Sequence, residues 1–439
     1  MTTVLLTAVL LGSIALQALM PGRRLVIVLT GAGVSCLIGA VTNVAPTSRV
    51  LAEVPWDVLV MLVGLGLLTE LLAASGMFGK LAVWLTRVSG ANHALLVVMF
   101  CAVMYLVSGL VNNLTALLLV LPLMLVQFRL LGVTQRYLTW SLGAMLVACN
   151  LGGAATPIGD FPAILLLGRG AMDFNDYLTR AAPATAVALA AFLVLVAATA
   201  RPARDVPRSR VSARITVATM QALHRGLKLD IRALVPGGTA LVAMMAAWIS
   251  LPASTGVRPE LICWLGVSAA LVGSGRLGER LVRSKVDIEA TLFLLALFVM
   301  VGTVRATGAF AAMAQDITVL PIPPAAQVVV FLVAAAVLTG LFSAGPSMAA
   351  LLEVAEVLAA RHPPAAIYVG LAMSVCAGSS LFITAATSGP LTQALVERAE
   401  LRGADGNWLR FGFVDFMPVG ALGFGVILCV GIAVTLLQL

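Results

Sequence analysis

Oxygen-bearing side chains of the kind that hold a hard cation cluster in two short stretches of this chain. The first stretch is Ser108-Gly109-Leu110-Val111-Asn112-Asn113-Leu114-Thr115. The second is Asn150-Leu151-Gly152-Gly153-Ala154-Ala155-Thr156-Pro157-Ile158-Gly159-Asp160. Ser108, Asn112, Asn113, Thr115, Asn150, Thr156, Asp160 and the backbone at Gly153 offer hydroxyl, amide, carbonyl and carboxylate oxygens. These suit an alkali cation or a proton relay and not a soft metal. A related pair recurs later, Thr339-Gly340-Leu341-Phe342-Ser343-Ala344-Gly345-Pro346-Ser347 and Ala377-Gly378-Ser379-Ser380-Leu381-Phe382-Ile383-Thr384. Its polar groups, Ser343, Ser347, Ser379, Ser380 and Thr384, with close backbone approach at Gly345 and Gly378, are the candidates for a substrate site.

Asp160 is the sharpest of these residues. A carboxylate at a helix break inside a membrane is a functional group by default: it binds a cation when ionised and carries a proton when neutral. It can also cap the helix that follows. Glu70, Glu353 and Glu356 are candidates for an access path, with water-facing or snorkelling roles as the alternative. Arg305 reads as interfacial. His93, His224 and His362 share no metal-ligand spacing, so no transition metal is expected. Ser347 and Ser379 sit near glycines but no histidine shares an intramembrane segment with them, and phosphate-loop and dinucleotide signatures are absent. The chain does not read as an enzyme, and Na+ or H+ as a coupling ion is the one cofactor expected.

The elements that must carry these groups are membrane helices. The 439 residues are 61% hydrophobic and 10% charged, against about 25% charged in soluble domains. Apolar runs long enough to span recur over nearly the whole length, which excludes a β-barrel with its short alternating strands. The net charge of +8 falls in loops, and no basic patch is interleaved with aromatics, so nucleic acid is not a partner. The six cysteines lie in apolar segments without a CxxC pair and read as small buried hydrophobes. Arg23 and Arg24 follow the first apolar run, which reads as a first spanning helix with its N-terminus outside and not as a cleaved signal.

Hydropathy and breakers place spans at 4–20, 25–44, 56–75, 183–200, 234–251, 259–275, 289–307 and 417–438, with an amphipathic piece at 77–90. Apolar arms 93–110 and 115–131 flank the first polar tip, and 324–340 and 347–360 the second. Segments 138–170 and 365–390 are broken, the first at 151–159. Residues 201–232, with eight Arg and Lys against two Asp, form a basic cytoplasmic linker between residues 1–200 and 233–439. A lipid-headgroup role for it is the alternative.

The halves match in order. Asp57, Gly76 and Phe78 align with Glu289, Gly308 and Phe310 at an offset of 232; Ser108 and Gly109 align with Thr339 and Gly340 at 231; Gly153 and Ile158 align with Gly378 and Ile383 at 225. Loop charges send 56–75 inward and 289–307 outward, so the halves are expected to be inverted repeats, the arrangement that places paired breaks at a transporter's binding site. The topology closes if each tip ends a re-entrant hairpin. The expected fold is an all-α polytopic membrane protein of about ten spanning helices, two re-entrant hairpins and two broken helices, with both termini outside.

The run Asn150-Leu-Gly-Gly-Ala-Ala-Thr-Pro-Ile-Gly-Asp160-Phe-Pro, with the tip from Ser108 to Thr115, resembles the signatures of the ion transporter superfamily. That group includes arsenite permeases, sodium/proton antiporters, and citrate, dicarboxylate and sulfate transporters. The resemblance implies an alternating-access carrier of elevator or related type, often a homodimer, coupled to sodium or protons. It assigns the first cation site to Ser108, Asn112, Asn113, Thr115 and the 152–156 backbone. Ser343-Ala344-Gly345-Pro346 departs from the family pattern and leaves fewer ligands for a second ion. Phe161-Pro162 and the Ser-Ala-Gly-Pro tip resemble transporters of magnetosome membranes.

The expectation is therefore a secondary active transporter in a bacterial-type inner membrane or a specialised internal membrane such as the magnetosome's. Na+/H+-type exchange ranks above citrate or dicarboxylate symport, because no intramembrane Arg or Lys is placed to hold a multivalent anion. Arsenite efflux stays open, since arsenous acid needs no cationic partner. A passive channel and a transport-inactive structural protein are the alternatives of a different class.

Overall fold

The computed structural model describes residues 2–439 apart from 21–22, 78–79, 82–83, 85–87, 89–91, 202–228, 252–255, 387 and 404–405. Most of the basic linker and much of the 77–90 piece thus lie outside the described residues. Breakers and polar caps divide the chain into helices. The first half comprises α1 (Thr2–Leu19), α2 (Arg24–Val41), α3 (Thr47–Ala52), α4 (Trp56–Ala74), α5 (His93–Leu110), α6 (Asn113–Leu131), α7 (Gln135–Ala155), α8 (Phe161–Gly168) and α9 (Phe174–Leu195). The second comprises α10 (Ile231–Ser250), α11 (Pro259–Gly273), α12 (Arg276–Ser284), α13 (Ile288–Arg305), α14 (Ala309–Val319), α15 (Pro324–Phe342), α16 (Ala344–Ala359), α17 (Pro364–Leu381), α18 (Ser388–Ala399) and α19 (Phe413–Gln438). The protein is an all-α, multi-pass membrane protein. Its described residues contain no strand beyond one isolated bridge between Arg402 and Trp408.

Local chemistry accounts for the boundaries at the tips. Asn92 opens α5 by accepting from the N–H groups of Ala94 (3.1 Å) and Leu95 (3.4 Å), and Asn112 opens α6 by accepting from Leu114 N (2.8 Å). Gly132, at φ +58°, closes α6 in the left-handed conformation. Asp160 opens α8, its Oδ1 accepting from Phe161 N at 2.8 Å, and Pro162 follows in the first turn, where a missing N–H costs nothing.

Ten described helices are long and apolar enough to cross a membrane. They are not the ten expected from hydropathy. The first hairpin arms α5 and α15 are among them, while α1 and the 15-residue α11 are shorter. The first break is also narrower than expected. Helix α7 runs on to Ala155, so the interruption is 156–160 and not 151–159. Gly152 and Gly153 sit in regular helix and serve contact: a side chain at Gly152 would collide with the backbone of Tyr105 on α5.

Helix starts in the two halves keep register. His93 and Asn113 are followed 231 residues later by Pro324 and Ala344, and Trp56 is followed 232 residues later by Ile288. Packing is reciprocal: α2 lies on α13 and α11 on α4; α8 on α16 and α18 on α6; α7 on α19 and α17 on α9. Exchange of partners of this kind is the signature of a two-fold relation. Helices α1–α4 pack with α10–α13 in one group, and α5–α9 with α15–α19 in another. The groups meet at α4 against α8 and at α13 against α16. Helices α7 and α17 are each buried over 83% of their spans, against 28% for α2 and α10. The two most buried helices are also the least apolar of the ten, so polar groups are held inside and away from lipid.

Candidate functional site

The first tip closes on the last turns of α7. Ser108, at the end of α5, is fully buried. Its Oγ donates to the carbonyl of Cys149 at 2.7 Å and lies in very close contact with Asn113 Oδ1. One hydroxyl proton cannot serve both acceptors, and the further partner of Ser108 Oγ is the weak Cys149 thiol at 3.6 Å, so three oxygens converge with few hydrogens among them. The carbonyls of Ser108 and Gly153 stand 2.7 and 2.8 Å from where a Cβ on Gly159 would sit. A Cβ on Gly153 would lie 2.5 Å from Asn113 Oδ1 and 2.8 Å from Asp160 Cβ, so this glycine makes the room in which tip and break meet. Thr156 Oγ1 donates to the carbonyl of Gly109 and ties the break to the tip. Asn112 and Thr115 are half-buried beside this cluster; Asn112 spends its side-chain oxygen on the α6 cap.

The second tip meets its own break through Ala344 N, which donates to the carbonyl of Ala385 at 3.2 Å. Its chemistry differs from the first. Ser343 stands at φ +79°, ψ 152°, and makes no side-chain cap for α16. Position for position, Thr339 replaces Ser108 and Ala344 replaces Asn113, and the buried Thr339 hydroxyl has no hydrogen-bond partner. The amide that completes the first cluster is missing here. A Cβ on Gly345 would lie 3.6 Å from the Phe161 ring, so the second tip comes up to the first break. Ser347 is buried, whereas Thr384 is exposed and stands apart from the buried polar groups.

Asn150 joins the halves. Its Nδ2 donates to the carbonyl of Ser379 at 3.2 Å and to Ser380 Oγ at 3.1 Å. Ser379 and Ser380 themselves donate back to Val375 and Cys376 one turn earlier. Gly378 presses α17 against Thr339 of α15, where a Cβ would come within 2.5 Å of the Thr339 side chain. Residues placed by sequence in separate cation and substrate sites thus share one wall between α7 and α17. A small cavity beside them is lined by Asp160, Asn150, Tyr177 and Ser379.

The acidic candidates fall elsewhere. Glu353 on α16 is buried, accepts a hydrogen bond from Arg169 Nη2 at 2.7 Å and forms an ion pair with Arg305, whose Nε stands 2.9 Å away. Glu356 lies 4.0 Å from Arg169 Nη1. Arg305, expected at the interface, belongs to this ion cluster where α8, α13 and α16 meet. Glu70 pairs with Lys285 at 3.3 Å, away from both tips. Among the described residues no group of His, Cys, Asp and Glu could hold a metal ion in the manner of a transition-metal site.

Sequence reasoning missed three contributors. The Cys149 carbonyl is a backbone atom without a sequence signal. Tyr177 donates to the Ala154 carbonyl at 2.8 Å and lines the cavity; a lone phenol entering an apolar helix was its signal. Arg169, just past a short apolar helix, was the signal for a buried ion pair.

Comparison with known proteins agrees with this architecture. A family model described as citrate transporter matches residues 6–378. An uncharacterized transporter of Mycobacterium tuberculosis is 30% identical over 359 residues, 79% of this chain and 80% of that one. The magnetosome protein MamN of Paramagnetospirillum magneticum is 28% identical over 412 residues, 92% of each chain. The human P protein is 27% identical over 162 residues, 37% of this chain and 19% of that one. Matched over residues 6–378, most of its length, the chain belongs to the citrate transporter family of membrane transporters.

Proposed function

We propose that the protein is a secondary active transporter that works by alternating access, with one monovalent cation bound at the first tip and coupled to the movement of a second small ion. The observation that carries this reading is the buried convergence of Ser108 Oγ, Asn113 Oδ1 and the Cys149 carbonyl, a pocket richer in acceptors than in donors. No Arg, Lys or His occurs in the two tips or breaks, and Arg169 and Arg305 are committed to Glu353. A site of this composition attracts cations and has no fixed positive charge for a citrate-like anion. Exchange of the Na+/H+ kind is therefore the favoured mode, with Asp160 beside the cluster as the proton-carrying group. The reciprocal packing of the halves supports inverted repeats that rock or slide about this site.

A second reading, symport of a small carboxylate, is favoured by the family's description and by one feature of the second tip. The N-termini of α6 and α8 are capped by Asn112 and Asp160, whereas α16 opens without a side-chain cap; with Ala344 N taken by the Ala385 carbonyl and no N–H on Pro346, the Gly345 N–H is the one its first turn offers an anion. The relation to MamN supports a bacterial cytoplasmic membrane or an internal membrane derived from it.

Purified protein in liposomes tests both. A Na+ gradient is expected to drive a change of internal pH that Asn113→Ala abolishes and Asp160→Asn reduces at least tenfold. Labelled citrate uptake without a pH change would replace exchange by symport. Non-saturating flux, indifferent to both substitutions, would sink the carrier reading altogether.

A further inference from the structure

The cavity between α7, α8, α9 and α17 is distinct from the convergence at the first tip. It measures about 10 Å³, close to the space one water occupies, and its polar lining comes from Asn150, Asp160, Tyr177 and Ser379. A donor inventory decides what it can hold. The Tyr177 hydroxyl donates to the Ala154 carbonyl at 2.8 Å, and Ser379 Oγ donates to the Val375 carbonyl at 2.7 Å. Asn150 Nδ2 is spent on Ser379 O and Ser380 Oγ; because Ser379 O only accepts, the amide orientation is fixed and Oδ1 is the atom left over. That Oδ1 is buried with no hydrogen-bond partner, on a residue 5% exposed. Asp160 Oδ1 is engaged with Phe161 N, so its second carboxylate oxygen is the one not taken by the helix cap.

Every oxygen- or nitrogen-bearing side chain on this wall has its protons turned into the protein and its lone pairs left over. A water would find acceptors for its two protons and, for its own lone pairs, only the weak thiol donor of Cys376. A cation needs acceptors alone. The lining contains no basic side chain, and it contains one carboxylate.

We propose that this cavity is a second site for a small monovalent cation of the sodium class. It is held by Asn150 Oδ1, the Asp160 carboxylate and the hydroxyls of Tyr177 and Ser379, and it spans both halves of the chain. The proposal rests on the cation-coupled reading above and extends it. Asp160 borders both sites, since its Cβ and the Asn113 amide meet at the same edge of Gly153. A cation in the cavity therefore feels the charge that also faces the tip, and occupancy of the two sites is linked through one carboxylate.

The test counts Na+ bound per chain, with radioactive sodium as the probe and the purified full chain in detergent at fixed pH. Two Na+ per chain are expected for the wild type. Asn150→Leu removes the unpartnered oxygen and Tyr177→Phe removes the phenol; each is expected to leave one Na+. Asn113→Ala is expected to leave the other. Ser379→Ala, a smaller change, guards against misfolding of the first two and is expected to weaken the second Na+ at least tenfold. One Na+ that Asn113→Ala removes and the cavity variants leave untouched would overturn the second site and keep the transport reading. A wild type that binds none would overturn both.

Discussion

Replacing Glu353 by Gln tests the buried ion cluster that ties α8 to α16 within one group of helices and reaches α13 of the other. The carboxylate is 4% exposed and serves two guanidinium groups, Arg169 (17% exposed, 2.7 Å) and Arg305 (42% exposed, 2.9 Å). Glutamine keeps one acceptor oxygen and loses the charge. The buried Arg169 bond, charge-assisted, is worth about 1.5–3 kcal/mol. The Arg305 ion pair is half in solvent and its screened share is about 0.5 kcal/mol. Glu356, 4.0 Å from Arg169, compensates part of the cation left behind, which keeps the loss below the roughly 3–5 kcal/mol of a fully orphaned buried charge. The expected destabilisation is therefore about 2–3 kcal/mol. It can be read from unfolding in mixed detergent micelles followed by tryptophan fluorescence. Double-mutant cycles apportion it: Glu353→Gln with Arg169→Gln is expected to show a coupling at least twice that of Glu353→Gln with Arg305→Gln. A loss under about 0.5 kcal/mol, or a larger coupling for Arg305, would refute the assignment of Arg169 as the principal partner.

Three further substitutions have directions fixed by geometry. Ser343 holds φ +79° and ψ 152°, a region that costs a non-glycine residue about 1–3 kcal/mol, so Ser343→Gly is expected to raise stability by about 1 kcal/mol after the glycine's own entropy cost; a lower unfolding midpoint would contradict this. Gly153→Ala puts a methyl 2.5–2.8 Å from the Asn113 amide and Asp160, and is expected to cost about 1–3 kcal/mol and weaken Na+ binding at least tenfold, even though alanine is the better helix former. Unchanged Na+ affinity in that variant would show that tip and break do not share the ion. Ala344→Asn restores an amide opposite the partnerless Thr339 hydroxyl and is expected to gain about 1 kcal/mol, measured by the same unfolding assay; a loss of stability would mean that the second tip has no room for the group that the first one uses.

Much of the architecture was legible because the bilayer permits few solutions. Long apolar runs must be helices, and polar residues such as Asn112, Asn113 and Asp160 within them must be sheltered by protein. One cap was legible for the same reason: Asp160 precedes a helix start and satisfies an N–H group that has no other partner nearby, whereas Asn112, read as a cation ligand, spends its side-chain oxygen on the α6 cap. The first break was misplaced because glycine has two uses. In 151–155 it thins a helix for contact with α5, and the sequence does not distinguish that from a glycine that ends a helix. Helices α5 and α15, expected as hairpin arms, have the length and apolarity of spanning helices, properties that do not separate an arm from a span.

The sequence by itself determined the class of the protein, the two polar tips with their breaks, and the loss of the amide in the second copy, since all three are properties of residue type and local order. Tertiary structure decided which groups meet. Asn150 reaches the second half 229 residues away, Glu353 draws together Arg169 and Arg305 from two other helices, and Tyr177 closes a cavity against α17. None of these contacts has a spacing rule. They exist because two similar halves pack by exchanging partners, so that side chains from distant segments arrive at the same buried wall, where each must find a partner or hold an ion.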